Sequence, residues 1–114
     1  MITAATVTLT LLTLLPGHVV RDLSGNWTID GDVQGNPVNM TCAVQQSADL
    51  KITGKCVING ADNTEIEGTA KDASFKFSFT VQGYTLTYTG TVDGDTMNGD
   101  IEVAGVTGKF TGKR

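Results

Sequence analysis

Histidine is almost missing from this chain. The only one among 114 residues is His18, and it precedes the stretch where strand-like sequence begins. Without a histidine in the body of the chain, Ser-His-Asp and Cys-His nucleophile activation has no base, and zinc loses its commonest ligand. Cysteine and proline are held to two residues each, tryptophan to one, and aromatics to 6%. Eight basic residues stand against 12 acidic ones, for a net charge of -4. The charges are interspersed, so no basic patch forms and a nucleic-acid surface is excluded. No apolar run reaches the ~20 residues of a membrane-spanning helix.

The carboxylates do not compensate for these absences. Asp30 and Asp32 flank Gly31, and Asp93 and Asp95 flank Gly94. Asp-Gly-Asp is turn composition, and neither stretch has the spacing of a calcium-binding loop. Glu65 and Glu67 alternate with apolar residues and read as solubilising charge on an outer face. No catalytic centre, metal site or cofactor is expected.

The first segment that is rich in something is 2–15, an uncharged run of apolar residues and threonines ended by Pro16 and Gly17. It fits the apolar region of an export leader, with cleavage between Gly17 and Asp22. The competing reading is a first strand, because Val7, Leu9 and Leu11 alternate with threonines. The expected organisation is a leader and N-terminal arm over 1–22, then a single domain over 23–114 in a secreted or periplasmic protein.

From Trp27 onward apolar residues fall on every second position. Phe75, Phe77, Phe79 and Val81 alternate with Ser74, Lys76, Ser78 and Thr80, and Tyr84, Leu86, Tyr88, Gly90 and Val92 alternate with four threonines. Strand side chains point to opposite faces in turn, so each such run has one buried face. Eight strands are predicted, over 26–32, 38–45, 50–58, 64–71, 74–82, 84–92, 96–104 and 106–112. Asn59-Gly60, Gln82-Gly83, Asp93-Gly94-Asp95 and Ala104-Gly105 supply residues that tolerate positive φ between them. Leu50 and Tyr84 are placed on the inner face by this pattern. Short links imply an antiparallel meander, and a meander loses its exposed edges by closing into a barrel. Gly54, Gly68, Gly90, Gly99 and Gly108 share the buried face of five strands, as tight coiling around a narrow interior requires. The strands are short for a lipid-facing barrel, so the apolar face is expected inside.

Cys42 and Cys56 fall in register on the buried face of neighbouring strands, and the turn near 47–49 brings them opposite. A cross-strand disulfide follows if their Cα atoms approach within about 7 Å. It would contribute roughly 3 kcal/mol and places the chain in an oxidising compartment. Two free thiols or metal ligation are the other readings.

Inside such a barrel the polar-tipped aromatics Trp27, Tyr84 and Tyr88 either fill the core or orient a ligand. A small apolar pocket bounded by Phe75, Phe77, Tyr84, Leu86 and Tyr88 is the candidate site. The outward ladder of Thr85, Thr87, Thr89 and Thr91 reads as solvated strand surface. Asn26-Trp27-Thr28 and Asn39-Met40-Thr41 match the glycosylation pattern, which acts only in a eukaryotic secretory route.

The opening Leu23-Ser24-Gly25-Asn26-Trp27-Thr28 resembles the start of the calycin barrels: lipocalins, avidins and fatty-acid-binding proteins. The resemblance implies a tryptophan plugging one barrel end under a basic residue, the parts of Trp27 and of Lys113 or Arg114, joined by cation–π contact. Pieces such as Thr53-Gly54-Lys55 and Thr89-Gly90-Thr91 look avidin-like, although avidins box in biotin with several tryptophans and Trp27 stands alone. The chain also resembles bacterial inhibitors of secreted metalloproteases, small barrels with a Gly-x-Trp opening and one disulfide between early strands. That second resemblance implies an inhibitory N-terminal arm, over 19–23 in this sequence.

The expected fold is therefore an all-β, eight-stranded, antiparallel up-and-down barrel, calycin-like, with one cross-strand disulfide. The expected function is non-catalytic: a binding or accessory barrel, holding a small apolar ligand or meeting a protein partner. The alternatives are a protease-inhibitor-type barrel acting through its arm and a structural accessory domain with no ligand.

Overall fold

A computed structural model of the protein describes residues 22–114. The expected leader up to residue 21, and the part of the expected arm before Asp22, lie outside the described residues. Eight strands follow one another: β1 (Gly25–Val33), β2 (Asn36–Gln46), β3 (Lys51–Ile58), β4 (Asp62–Lys71), β5 (Ser74–Val81), β6 (Tyr84–Asp93), β7 (Thr96–Val103) and β8 (Val106–Lys113). Each pairs antiparallel with the next, and β8 returns to β1 from Thr28↔Lys113 to Asp32↔Lys109, closing the barrel. The fold is the all-β meander barrel that the alternation predicts.

The period-2 pattern becomes an inside and an outside. Ile29, Met40, Val44, Ile52, Ile66, Phe77, Ile101 and Phe110 are buried in one continuous core, and the intervening threonines, lysines and acids face out. Cys42 and Cys56 are paired neighbours on β2 and β3, with Cα atoms 4.1 Å apart, and form a disulfide. The in-phase glycines mark close backbone approach. Gly90 and Gly99 face each other across β6 and β7, and a Cβ on Gly99 would stand 2.5 Å from the Gly90 Cα. Only hydrogen fits there, so strands meet at a distance that bulkier residues forbid.

The two ends of the barrel differ in chemistry. At one end the turns Gln34-Gly35, Asn59-Gly60, Gln82-Gly83 and Ala104-Gly105 all take positive φ at both residues, the hairpin geometry whose twist matches that of the strands. None of these eight residues carries a charge. The other end holds Asp22, Asp49, Asp72, Asp95 and Arg114 in its connections and chain ends.

Two residues assigned to the interior by alternation alone lie outside it. Leu50 has φ 64° and is 45% exposed. It ends the β2–β3 turn, where its N–H donates to the Ser47 carbonyl (3.0 Å), so β3 begins one residue later. Tyr84, expected to bound a ligand pocket, is 59% exposed. It pairs with Val81 next to a two-residue turn, whereas the β6–β7 ladder begins only at Thr87. The hairpin tip thus carries Tyr84 beyond the barrel wall, where no third strand covers it.

Candidate binding site

The charged end is closed by a plug. Trp27, 1% exposed, donates from its indole Nε1 to the Leu23 carbonyl (2.8 Å). Leu23 is itself buried, and its N–H donates to the Gln46 side-chain oxygen (3.0 Å). The Arg114 guanidinium lies 4.7 Å from the centroid of the Trp27 ring. It donates to the carbonyls of Asp22 (2.6 Å), Ser24 (2.9 Å) and Gly94 (2.7 Å) and to the Asp95 carboxylate (3.1 Å). Of the two basic residues expected over Trp27, Arg114 is the one in place. Lys113 faces solvent, because the alternation that turns Gly112 inward on β8 turns its neighbour outward. Leu23, the last residue of the expected arm, is fixed under this plug.

Arg114 combines a cation–π contact with several charge-assisted hydrogen bonds on a nearly covered side chain. Arg114→Ala is expected to lower stability by about 2 kcal/mol and to leave the indole more accessible. Urea titration followed by Trp27 fluorescence measures both.

The interior is aromatic. Phe75 stacks on Phe77 at 5.7 Å between centroids, Phe77 stacks on Tyr88 at 5.1 Å, and Phe79 and Phe110 tilt against Tyr88 at 5.6 and 4.9 Å. Such offset and tilted pairs add to the burial energy of the rings. Four of the five residues expected to bound a pocket, Phe75, Phe77, Leu86 and Tyr88, are brought together here, buried; Tyr84 is not. Tyr88 is 0% exposed and its hydroxyl has no hydrogen-bond partner. Burial pushes its phenol well above the ordinary tyrosine range, which keeps it protonated. An unpaired buried hydroxyl is costly, because the water it gave up is not replaced.

At the end of the uncharged turns, where the Asp32 and Asp62 carboxylates also accept hydrogen bonds from Gly35 and Gln82, the core is incompletely covered. Val38, Val81, Val103 and Val106 pack on it and remain half-buried. All four lie beside the uncharged turns on β2, β5, β7 and β8. The result is an apolar rim around the end opposite the plug. This rim is missed by alternation, which labels these valines as core; the turns beside Val81, Val103 and Val106 were legible, and Gln34-Gly35 beside Val38 was not.

The wall is also weakest at this end. The β4–β5 ladder runs only from Lys71↔Ser74 to Glu67↔Ser78. Beyond it, Thr64 donates to the Thr80 carbonyl (3.3 Å) and Gln82 donates to the Asp62 carboxylate (3.0 Å). Side chains therefore bridge the seam where backbone pairing stops. On the far side of the same hairpin, Tyr84–Leu86 has no pairing to β7. Shallow grooves lie on the outer wall, one of ≈ 390 Å³ lined by residues such as Gln45, Thr53, Lys55, Glu65 and Glu67.

No family model matches the chain, and no curated protein matches it. Solved structures are similar to it. A redesigned β-barrel shares 14% identity over 81% of this chain and 90% of its own, with a TM-score of 0.66. A second redesigned barrel, mFAP1, bound to DFHBI, shares 16% over 81% and 94%, with a TM-score of 0.62. Fatty-acid-binding protein 1 of Echinococcus granulosus shares 11% over 81% and 96%, with a TM-score of 0.52. At these identities the likeness shows the fold alone: a small closed β-barrel of the kind found among designed barrels and fatty-acid-binding proteins.

Proposed function

We propose that the chain is a non-catalytic binding barrel, secreted or periplasmic, that takes a small apolar ligand at its valine-rimmed end. The observation that carries this reading is the half-buried set of Val38, Val81, Val103 and Val106 beside three of the four uncharged turns, opposite a plugged end. Apolar surface left at the edge of a core attracts an apolar partner, because covering it releases the water it orders. The fold supports the reading further. Its structural neighbours include a barrel bound to DFHBI and a protein named for binding fatty acid. The aromatic interior below the rim would supply a polarisable floor that includes Phe79, Leu86 and Tyr88.

The neutral fluorophore N-phenyl-1-naphthylamine tests this. It is expected to bind with a blue-shifted, enhanced emission at one site per barrel. Val81→Lys/Val103→Lys, which puts charge on the rim where side chains are half-exposed, is expected to weaken binding at least about tenfold, since burying the probe then strands an ammonium group. Leu50→Lys, at the plugged end, serves as the control and is expected to bind as the unsubstituted protein does. Failure of the probe to bind, or equal binding by the rim variant, overturns the reading and leaves an accessory domain without a ligand.

A further inference from the structure

We propose that the ligand of this barrel is a neutral apolar molecule carrying a single hydrogen-bond acceptor, such as a ketone or ester carbonyl, that the Tyr88 hydroxyl receives it, and that carboxylates are refused. This rests on the binding reading above and says which chemistry the site selects.

One buried side-chain polar atom among the described residues is unanswered. Among the described residues no charged side chain and no polar one outside the aromatics and cysteines is buried. The Trp27 N–H is already committed to the Leu23 carbonyl. Cys42 and Cys56 are joined to each other and offer no thiol. That leaves the Tyr88 hydroxyl, fully buried and without a partner. Its ring is held on three sides by Phe77, Phe79 and Phe110, so the oxygen cannot swing to solvent without unpacking the core. Because the phenol stays protonated, it donates, and the group it wants is an acceptor.

The acceptor must be neutral. A carboxylate drawn to this depth would lose its hydration and gain one hydrogen bond from a neutral donor, with no buried cation beside it to offset the charge. The guanidinium nearest the interior, Arg114, closes the opposite end and is saturated by three carbonyls and a carboxylate. A ketone or ester oxygen carries only a partial charge and costs far less to desolvate.

Access comes from the same part of the wall. Both outer edges of the β5–β6 hairpin tip are free of backbone pairing, and the seam to β4 is held by the Thr64–Thr80 and Gln82–Asp62 side-chain bonds. Phe79, which leans on Tyr88 at 5.6 Å, belongs to this tip. Lifting the tip would carry Phe79 off the Tyr88 ring without breaking a ladder hydrogen bond between β4 and β5.

Three probes of one shape separate the possibilities: butyrophenone, butylbenzene and 4-phenylbutanoate, each displacing N-phenyl-1-naphthylamine from the full chain. The unsubstituted protein is expected to prefer butyrophenone over butylbenzene by about tenfold, the worth of one buried hydrogen bond, and to bind 4-phenylbutanoate weakest. In Tyr88→Phe, which keeps the ring and removes only the hydroxyl, the preference is expected to reverse in favour of the hydrocarbon, because the carbonyl is then buried with no donor. The carbonyl stretch of bound butyrophenone should fall in frequency in the unsubstituted protein and not in the variant. If the fluorophore binds but ketone and hydrocarbon bind alike, or the preference survives in Tyr88→Phe, the hydroxyl is satisfied by a water and this proposal fails while the binding reading stands. Binding of 4-phenylbutanoate as tight as that of butyrophenone overturns the exclusion of carboxylates. If neither fluorophore nor ketone binds, both readings fall together.

Discussion

Gly68→Ala is expected to destabilise the barrel by about 3 kcal/mol, enough to threaten folding in a domain of this size. A Cβ on Gly68 would overlap the carbonyl oxygen of Lys76 and sit 2.6 Å from the Phe77 Cα. Both obstacles are backbone, on the β5 strand that pairs directly with Gly68, and backbone in a closed ladder cannot step aside as a flexible side chain can. Relief would require β4 and β5 to separate further along a seam whose ladder is already short, dislodging Phe77 from the aromatic stack. Gly83→Ala provides the contrast. Nothing stands within 4 Å of a Cβ there, but φ is +83°, so the cost is the left-handed penalty alone, about 1 kcal/mol. Urea midpoints for the two variants should therefore separate clearly. Equal midpoints would mean that the strand approach at Gly68 relaxes freely and that glycine is not what holds the barrel narrow.

Removing the disulfide is the second large effect. Cys42→Ala/Cys56→Ala is expected to cost about 3 kcal/mol, because the bridge closes a loop of sequence separation 14 and restricts the unfolded chain. With a urea slope of roughly 1–2 kcal/mol per molar for a domain of this length, the midpoint should fall by about 2 M. The two cysteines also fill inner-face positions between Met40 and Val44 on β2 and between Gly54 and Ile58 on β3, so alanine leaves some space as well. Comparing the double variant with the reduced parent separates the two contributions: reduction removes only the covalent link. A parent whose midpoint does not move under reductant would show that the ladder from Met40↔Ile58 to Gln46↔Ile52 holds its register unaided.

Much of this architecture was legible because the chain states it twice, once in alternation and once in turn chemistry. Where both signals agree, as at Gln82-Gly83 between Phe79 and Leu86, strand, turn and inner face follow from the residues. Where they conflict, turn chemistry prevails. Leu50 and Tyr84 continue the apolar pattern yet sit next to turns, where the barrel wall is absent and an apolar side chain meets solvent. Leu23 shows the converse: it precedes the first strand and belongs to no pattern, and is buried because the Trp27 indole and Gln46 hold it. The aromatic interior was legible in its membership more than in its state. The alternation gathers Phe75, Phe77, Leu86 and Tyr88, but whether a hydroxyl among them finds a partner depends on three-dimensional neighbours from other strands, such as Phe79 on β5 and Phe110 on β8. No linear pattern encodes that. The choice of Arg114 over Lys113 was legible in principle, since one lies an even number of residues from inward Phe110 and the other an odd number.

The meeting of the two chain ends has a geometric consequence. Arg114 grips the Asp22 and Ser24 carbonyls, so both ends of the described chain leave the barrel side by side, at the plugged end. Anything tethered through either end, whether a neighbouring domain, a surface or a resin, would hold the barrel like a cup by its base. The rim of Val38, Val81, Val103 and Val106 would then face away from the support. If the proposed binding reading holds, immobilisation through the C-terminus should leave ligand uptake undiminished, whereas insertion into the Gln82-Gly83 turn would stand directly in its path.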